Sequence, residues 1–191
     1  PVENSTYYLY DIHGNVKELV QNVFDLGAKK IRYDYDLISG NVKKVYYQWG
    51  EVDQFLHWYE YDADNRITDV RTSFDGFVWD HDAECFYYKH GPLARTELGE
   101  HKVQGVDFAY TIQGWIKGVN SGILNEKVDI GQDGVTGHPH GSIPGDAFGY
   151  MLRYYNGDYR MIGTAPGGLG WEPADAGNKF HQPGRDLYNG N

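Results

Sequence analysis

The sequence predicts an all-β fold of consecutive antiparallel hairpins, and three observations carry that expectation. Tyrosine occurs 17 times and glycine 25 times, against two methionines. A short aromatic unit recurs along the first two-thirds of the chain. No stretch sustains the 3.6-residue apolar period of an amphipathic helix. Tyrosine and tryptophan suit a pleated, half-buried surface, and glycine marks turns.

The units follow one another with little between them. The first is Tyr8-Leu9-Tyr10-Asp11, then Gly14-Asn15 and Val16 to Leu19. The second is Tyr33-Asp34-Tyr35-Asp36, then Gly40-Asn41 and Val42 to Val45. The third, Tyr59-Glu60-Tyr61-Asp62, runs through Asn65-Arg66 to Ile67 and Val70. The fourth and fifth are Tyr87-Tyr88 with Gly91, and Phe108-Ala109-Tyr110 with Gly114. The second aromatic falls at 10, 35, 61, 88 and 110, in steps of 25, 26, 27 and 22 residues.

Each unit reads as a hairpin. Tyr-x-Tyr sets two rings on one face of a strand, because side chains alternate. The Asp that follows opens a turn, its carboxylate accepting bonds from nearby backbone amides. Gly14, Gly40, Asn65, Gly91 and Gly114 supply the positive φ that the turn needs. An aliphatic return strand closes the unit. A lone hairpin is marginal in water, so neighbours must pair edge to edge.

The rhythm stops after residue 119. Residues 120–146 read as an irregular insertion, with Asp129 to Gly134 and Gly137-His138-Pro139-His140-Gly141 as loop. A further hairpin is expected over 147–162, where Phe148, Tyr150, Leu152 and Tyr154 alternate before Asn156-Gly157. Residues 163–191 look irregular until Leu187-Tyr188-Asn189-Gly190-Asn191, which reads as the opening of another unit. Both ends therefore read as cuts through a longer array.

Bulk properties narrow the function classes. The net charge is −10 over 191 residues, which disfavours phosphate-backbone binding, so no nucleic-acid partner is expected. No apolar run reaches the ~18 residues of a membrane helix, and no membrane insertion is expected. The first residues carry no basic-then-apolar leader. Cys85 is the single cysteine, so an intrachain disulfide is excluded.

The units resemble the YD repeats of the RHS family, which also occur in the Tc toxin C component and in teneurins. Tyr59 to Val70 is the fullest match, with Tyr8 to Leu19 and Tyr33 to Val45 close behind. The segments His90 to Arg95, Tyr110 to Trp115, Asp129 to Gly134 and Asp146 to Tyr150 resemble the Bacteroidetes-type members. The resemblance implies a curved, open sheet forming part of a hollow, secreted or cell-surface β-shell. It further implies that the shell encloses a C-terminal toxin or effector of the parent chain, used in interbacterial competition. Such a wall section would have no catalysis or cofactor of its own, and its open edges would allow a homodimer. No Asp-Pro dipeptide occurs, so the autoproteolytic segment of that family is missing.

Several residue groups can be weighed for chemistry directly. His138 and His140 form a His-x-His pair that can bind a transition metal if further ligands converge, and otherwise sit in a solvated loop. Asp129-x-Gly131-x-Asp133-Gly134 resembles the start of a calcium loop, but the twelfth position holds His140 rather than an acid. Gly163 to Gly170 lacks the Lys-Ser or Lys-Thr of a phosphate cradle. Asp75, Asp80, Asp82 and Glu84 surround Trp79 and His81, which raises the question of a glycosidase pair. Trp49, Trp58, Trp79, Trp115 and Trp171 suit either packing between hairpins or sugar stacking. The alternative to a shell wall is therefore an extracellular module that binds carbohydrate or protein. Cys85 has no basic neighbour beside it and reads as an inert thiol.

Overall fold

The computed structural model describes residues 4–120, 129–152 and 154. Every regular element among them is a strand. In order these are β1 (Ser5–Tyr10), β2 (Val16–Val23), β3 (Gly27–Tyr35), β4 (Val42–Tyr47), β5 (Phe55–Tyr61), β6 (Ile67–Ser73), β7 (Asp80–Tyr87), β8 (Leu93–Leu98), β9 (Gln104–Tyr110), β10 (Ile116–Val119) and β11 (Tyr150–Met151). Within each part of the chain, strands adjacent in sequence are the ones that pair. No helix of the described residues is long and apolar enough to cross a membrane. The chain divides into two compact units, 1–84 and 85–191.

In the first unit the expected hairpins form. β1 pairs antiparallel with β2, β3 with β4 and β5 with β6. Each pair carries a bulge just before its turn, at Leu9/Tyr10, Asp34/Tyr35 and Glu60/Tyr61. The bulge sets Tyr10 opposite Val16, Tyr35 opposite Val42 and Tyr61 opposite Ile67. A bulge re-aims the side chain beside it, so the same repeat residue takes the same orientation each time.

Cross-strand register separates two faces. Tyr8, Leu19, Ile31, Tyr47 and Phe55 are successive partners across β1 to β5. Tyr33, Val45 and His57 form the next row of that aromatic face. On the opposite face run Glu18, Arg32, Tyr46, Leu56 and Ser73, and then Asp34, Lys44, Trp58 and Arg71. The aromatic face carries the Tyr-x-Tyr pairs, as side-chain alternation requires.

Burial in this unit is shallow. Leu56, 1 % exposed, is its one fully buried large apolar side chain among the described residues, and it lies on the charged face. The loops before β5 and β7 fold over it. Gly76 lies against the Trp49 ring and Leu56, and its φ of 78° is one that a side chain rarely adopts. Leu56→Ala is expected to cost about 2–5 kcal/mol, read as a fall in the thermal midpoint of the first unit.

In the second unit β8 pairs with β9, β9 with β10 and β10 with β11. Residues 129–149 form a chain of short turns, with Val135, His138, Gly141 and Ile143 each donating to the carbonyl three residues back. The hairpin expected over 147–162 is described only at its opening, where the strand is just Tyr150–Met151. The expectations for 163–191 lie outside the described residues.

Candidate functional site

The repeat motif is a turn device first. Asp11 Oδ1 accepts from the amides of His13 and Asn15, at 2.8 and 2.9 Å. Asp36 Oδ2 accepts from Ile38 and Ser39, and Asp62 Oδ1 from Asp64 and Arg66. Arg66 Nε also donates to Asp62 Oδ2 at 2.7 Å. These bonds hold Asp36 and Asp62 below the usual carboxylate range, through the Ser39 amide in the first and the Arg66 side chain in the second. Thr111 Oγ1 does the same work in the fifth unit, accepting from Trp115 N. The left-handed residues are Gly14, Gly40, Asn65, Gly91 and Gly114.

The fourth unit sits one residue out of the register read from sequence. Tyr88 N donates to Pro92 O, and Gly91 N to Tyr88 O, as Asp11 N does to Asn15 O and Gly14 N to Asp11 O. Tyr88 therefore occupies the Asp position, and Tyr87 is the last residue of the strand, equivalent to Tyr61. Two adjacent tyrosines concealed the offset, and the turn bonds reveal it.

A second function of the motif was not legible from spacing. Tyr35 Oη donates to Val16 O at 2.8 Å, and Tyr61 Oη to Val42 O at 2.6 Å. In each case the second tyrosine reaches the first residue of the previous unit's return strand, 19 positions back. Tyr154 Oη makes the same bond to Ile116 O at 2.7 Å. Tyr154 thus marks the second aromatic of a sixth unit, with the insertion lying between it and Ile116. Tyr88 Oη instead bonds forward to Phe108 O, and Tyr88 packs edge-on to Tyr110. Tyr61→Phe is expected to lose about 0.5–1.5 kcal/mol, seen as a lower urea midpoint at unchanged slope.

The weighed chemistry can now be placed. Asp75 Oδ1 accepts from the amides of Phe77 and Val78, so its carboxylate shapes its own loop. His81 Nε2 lies 3.1 Å from Asp69 Oδ1. Trp58 and Trp79 pack edge-to-face at 5.5 Å. Lys44 lies over both rings, and Arg71 over Trp58. Their faces are occupied by cations rather than presented as a groove. Cys85 is half-buried, its Sγ 4.0 Å from Thr96 Oγ1. His140 Nδ1 sits 3.0 Å from Glu97 Oε1, while His138 is exposed. Among the described residues no group of three His, Cys, Asp or Glu is placed to hold a metal ion. Trp171 and the Gly163 to Gly170 loop lie outside the described residues.

The strongest concentration of charge is one that sequence reasoning missed. Arg95 on β8 is 5 % exposed, and its guanidinium meets three carboxylates. Nε donates to Glu97 Oε1 at 3.0 Å, Nη1 to Asp107 Oδ2, and Nη2 to Asp133 Oδ1 at 2.6 Å. Glu97 is also met by Lys102 Nζ at 2.6 Å. Two glycines make room for this arrangement. A Cβ on Gly105 would lie 2.1 Å from Arg95 Nη2, and one on Gly131 would lie 2.2 Å from Nη1. Only backbone fits that close to the cation.

Two residues of the calcium-like loop belong to this cluster. Asp129 Oδ2 accepts from Asp133 N at 2.9 Å, which positions Asp133 toward Arg95. Asn120, fully buried, donates through Nδ2 to Phe148 O and accepts from Asp107 N. Burial pushes Asp107 up to about 6, against the pull of Arg95. Burial also raises Asp133, again opposed by its bond from Arg95. Glu97 is lowered: burial opposes that shift, but Lys102 and Arg95 outweigh it. The outcome is a buried ionic anchor that fastens the insertion to β8 and β9. No protein-family model matches the chain, and no curated protein matches it either.

Proposed function

We propose that this chain is a structural wall section of an RHS-type β-shell, whose parent protein encloses a C-terminal toxin or effector polypeptide. The observation that supports it best is the tyrosine bond repeated at Tyr35, Tyr61 and Tyr154, which in these three places ties a unit to the one before it. A bond of that kind serves to extend an array, and it needs no ligand to complete it. The end strand β1 fits the same reading. Tyr7, Tyr8, Leu9 and Tyr10 are all exposed there, with Tyr10 61 % exposed, so the strand can accept a further hairpin. The resemblance of the repeats supplies the rest, including the secreted or cell-surface setting and the enclosed partner.

The test uses the natural chain that carries this sequence. Electron microscopy of that protein is expected to show a hollow particle. Its C-terminal polypeptide should resist protease until the particle is denatured. A solid or extended particle with a freely digested C-terminal polypeptide would overturn the proposal.

A further inference from the structure

Antiparallel pairing from β1 through β7 puts the loops after β2, β4 and β6 on one margin of the first unit's sheet. Each of these loops leaves two apolar side chains in the open. They are Phe24 and Leu26, Trp49 and Val52, and Phe77 and Val78, all more than half exposed. The opposite margin exposes Ile12, Leu37 and Ile38, but no Phe, Tyr or Trp, and its third turn holds Ala63 and Asp64. Apolar side chains gathered in the open along one margin mark an interaction surface.

The loops hold these side chains in fixed places. Phe24 N donates to Asn4 Oδ1 at 3.0 Å, and Phe77 N and Val78 N donate to Asp75 Oδ1. Neighbouring loops are also tied to one another. Lys29 Nζ donates to Asp53 Oδ2, and Gln54 Nε2 to Phe74 O at 2.7 Å. Gly76 lies against the Trp49 ring. The row is therefore organised before any partner arrives, which lowers the entropy lost on binding.

Charge and spacing select the partner. Asp25, Glu51, Asp53, Asp75 and Asp80 border the row, against Lys29 and Lys30, and the Lys29 charge is met by Asp53. An acidic border attracts a cationic partner and repels a second copy of itself. Successive loops on the margin are two strands apart, about 9.5 Å. A helix returns to the same face every seven residues, about 10.5 Å, so one stripe meets loop after loop. An extended peptide covers that distance in about three residues and would present alternate faces to successive loops.

We propose that this margin docks an amphipathic helix whose apolar stripe is bordered by lysine or arginine. This goes beyond the wall reading and stands without it. The probe is a synthetic peptide of three heptads, with Leu at the first and fourth places, Lys at the fifth and seventh, and Ala or Gln elsewhere. One control peptide shuffles that order, and another carries Glu in place of Lys. Each is labelled and titrated with the whole chain at ~0.15 M salt, where weak charge attraction is screened. The ordered peptide is expected to bind at least about tenfold tighter than either control. Amide exchange should show new protection confined to 23–30, 48–55 and 74–80.

Val52→Ser combined with Phe77→Ser should weaken binding about tenfold. Both side chains are 88 % exposed or more, so the thermal midpoint should stay where it is. Should it fall, Asp25→Lys with Glu51→Lys takes that variant's place, and the loss then reads the acidic border. Equal binding of the shuffled peptide would reduce the attraction to charge alone and overturn the proposal. So would no binding, protection elsewhere on the chain, or undiminished binding by the variants. Binding to phosphatidylcholine vesicles but not to the ordered peptide would make the row a lipid contact and overturn it as well.

Discussion

Replacing Arg95 by alanine is expected to cost the second unit about 3–5 kcal/mol, the penalty for leaving buried charge without its partner. Asp107 and Asp133 lose the bonds from Nη1 and Nη2, and Asp133 is only 1 % exposed. For a unit of this size the thermal midpoint should fall by roughly 15 °C or more. The deficit should also depend on pH. Without the cation both acids are pushed further above their ordinary value. The variant therefore gains stability below that value and loses it as pH rises. Calorimetry at pH 4 and pH 7 is the measurement, and a deficit equal at both would show that Arg95 matters for packing alone.

Gly105→Ala should come close to the same loss by a different route. Its new methyl would stand 2.1 Å from Arg95 Nη2 and 2.3 Å from Asp133 Oδ2, so the guanidinium has to leave its position. Overpacking of this kind costs about 1–3 kcal/mol by itself, and displacing the ion pair adds to it. The double variant distinguishes the causes. Once Arg95 is alanine, the methyl at 105 has far less to strike, so the two losses should combine well below their sum. Simple additivity would mean that Gly105 is needed for something other than room beside the cation.

The hairpins were legible because their determinants are local. Asp11, Asp36 and Asp62 act on amides two to four residues away, and the left-handed position follows within the same turn. The offset at Tyr88 escaped because two neighbouring aromatics fit the pattern equally well, and only the turn bonds choose between them. The Arg95 cluster escaped because its members lie up to 38 residues apart. Asp129 and Asp133 carried the look of a turn or an ion loop. The available signal was the alternation of Arg95 and Glu97 on one strand, since two charges on one face of a strand need partners. Gly105, within a strand, was the other sign of a close approach.

The bond from Tyr35, Tyr61 and Tyr154 to the preceding return strand also bears on how such chains diversify. Tyr35 and Tyr61 reach back 19 residues, while Tyr154 reaches back 38 and finds an equivalent carbonyl. The end of a return strand therefore tolerates added sequence of its own design, provided the next tyrosine still arrives. Recombination at that junction can splice in a new loop, with new surface chemistry, while the repeats on either side keep their alignment.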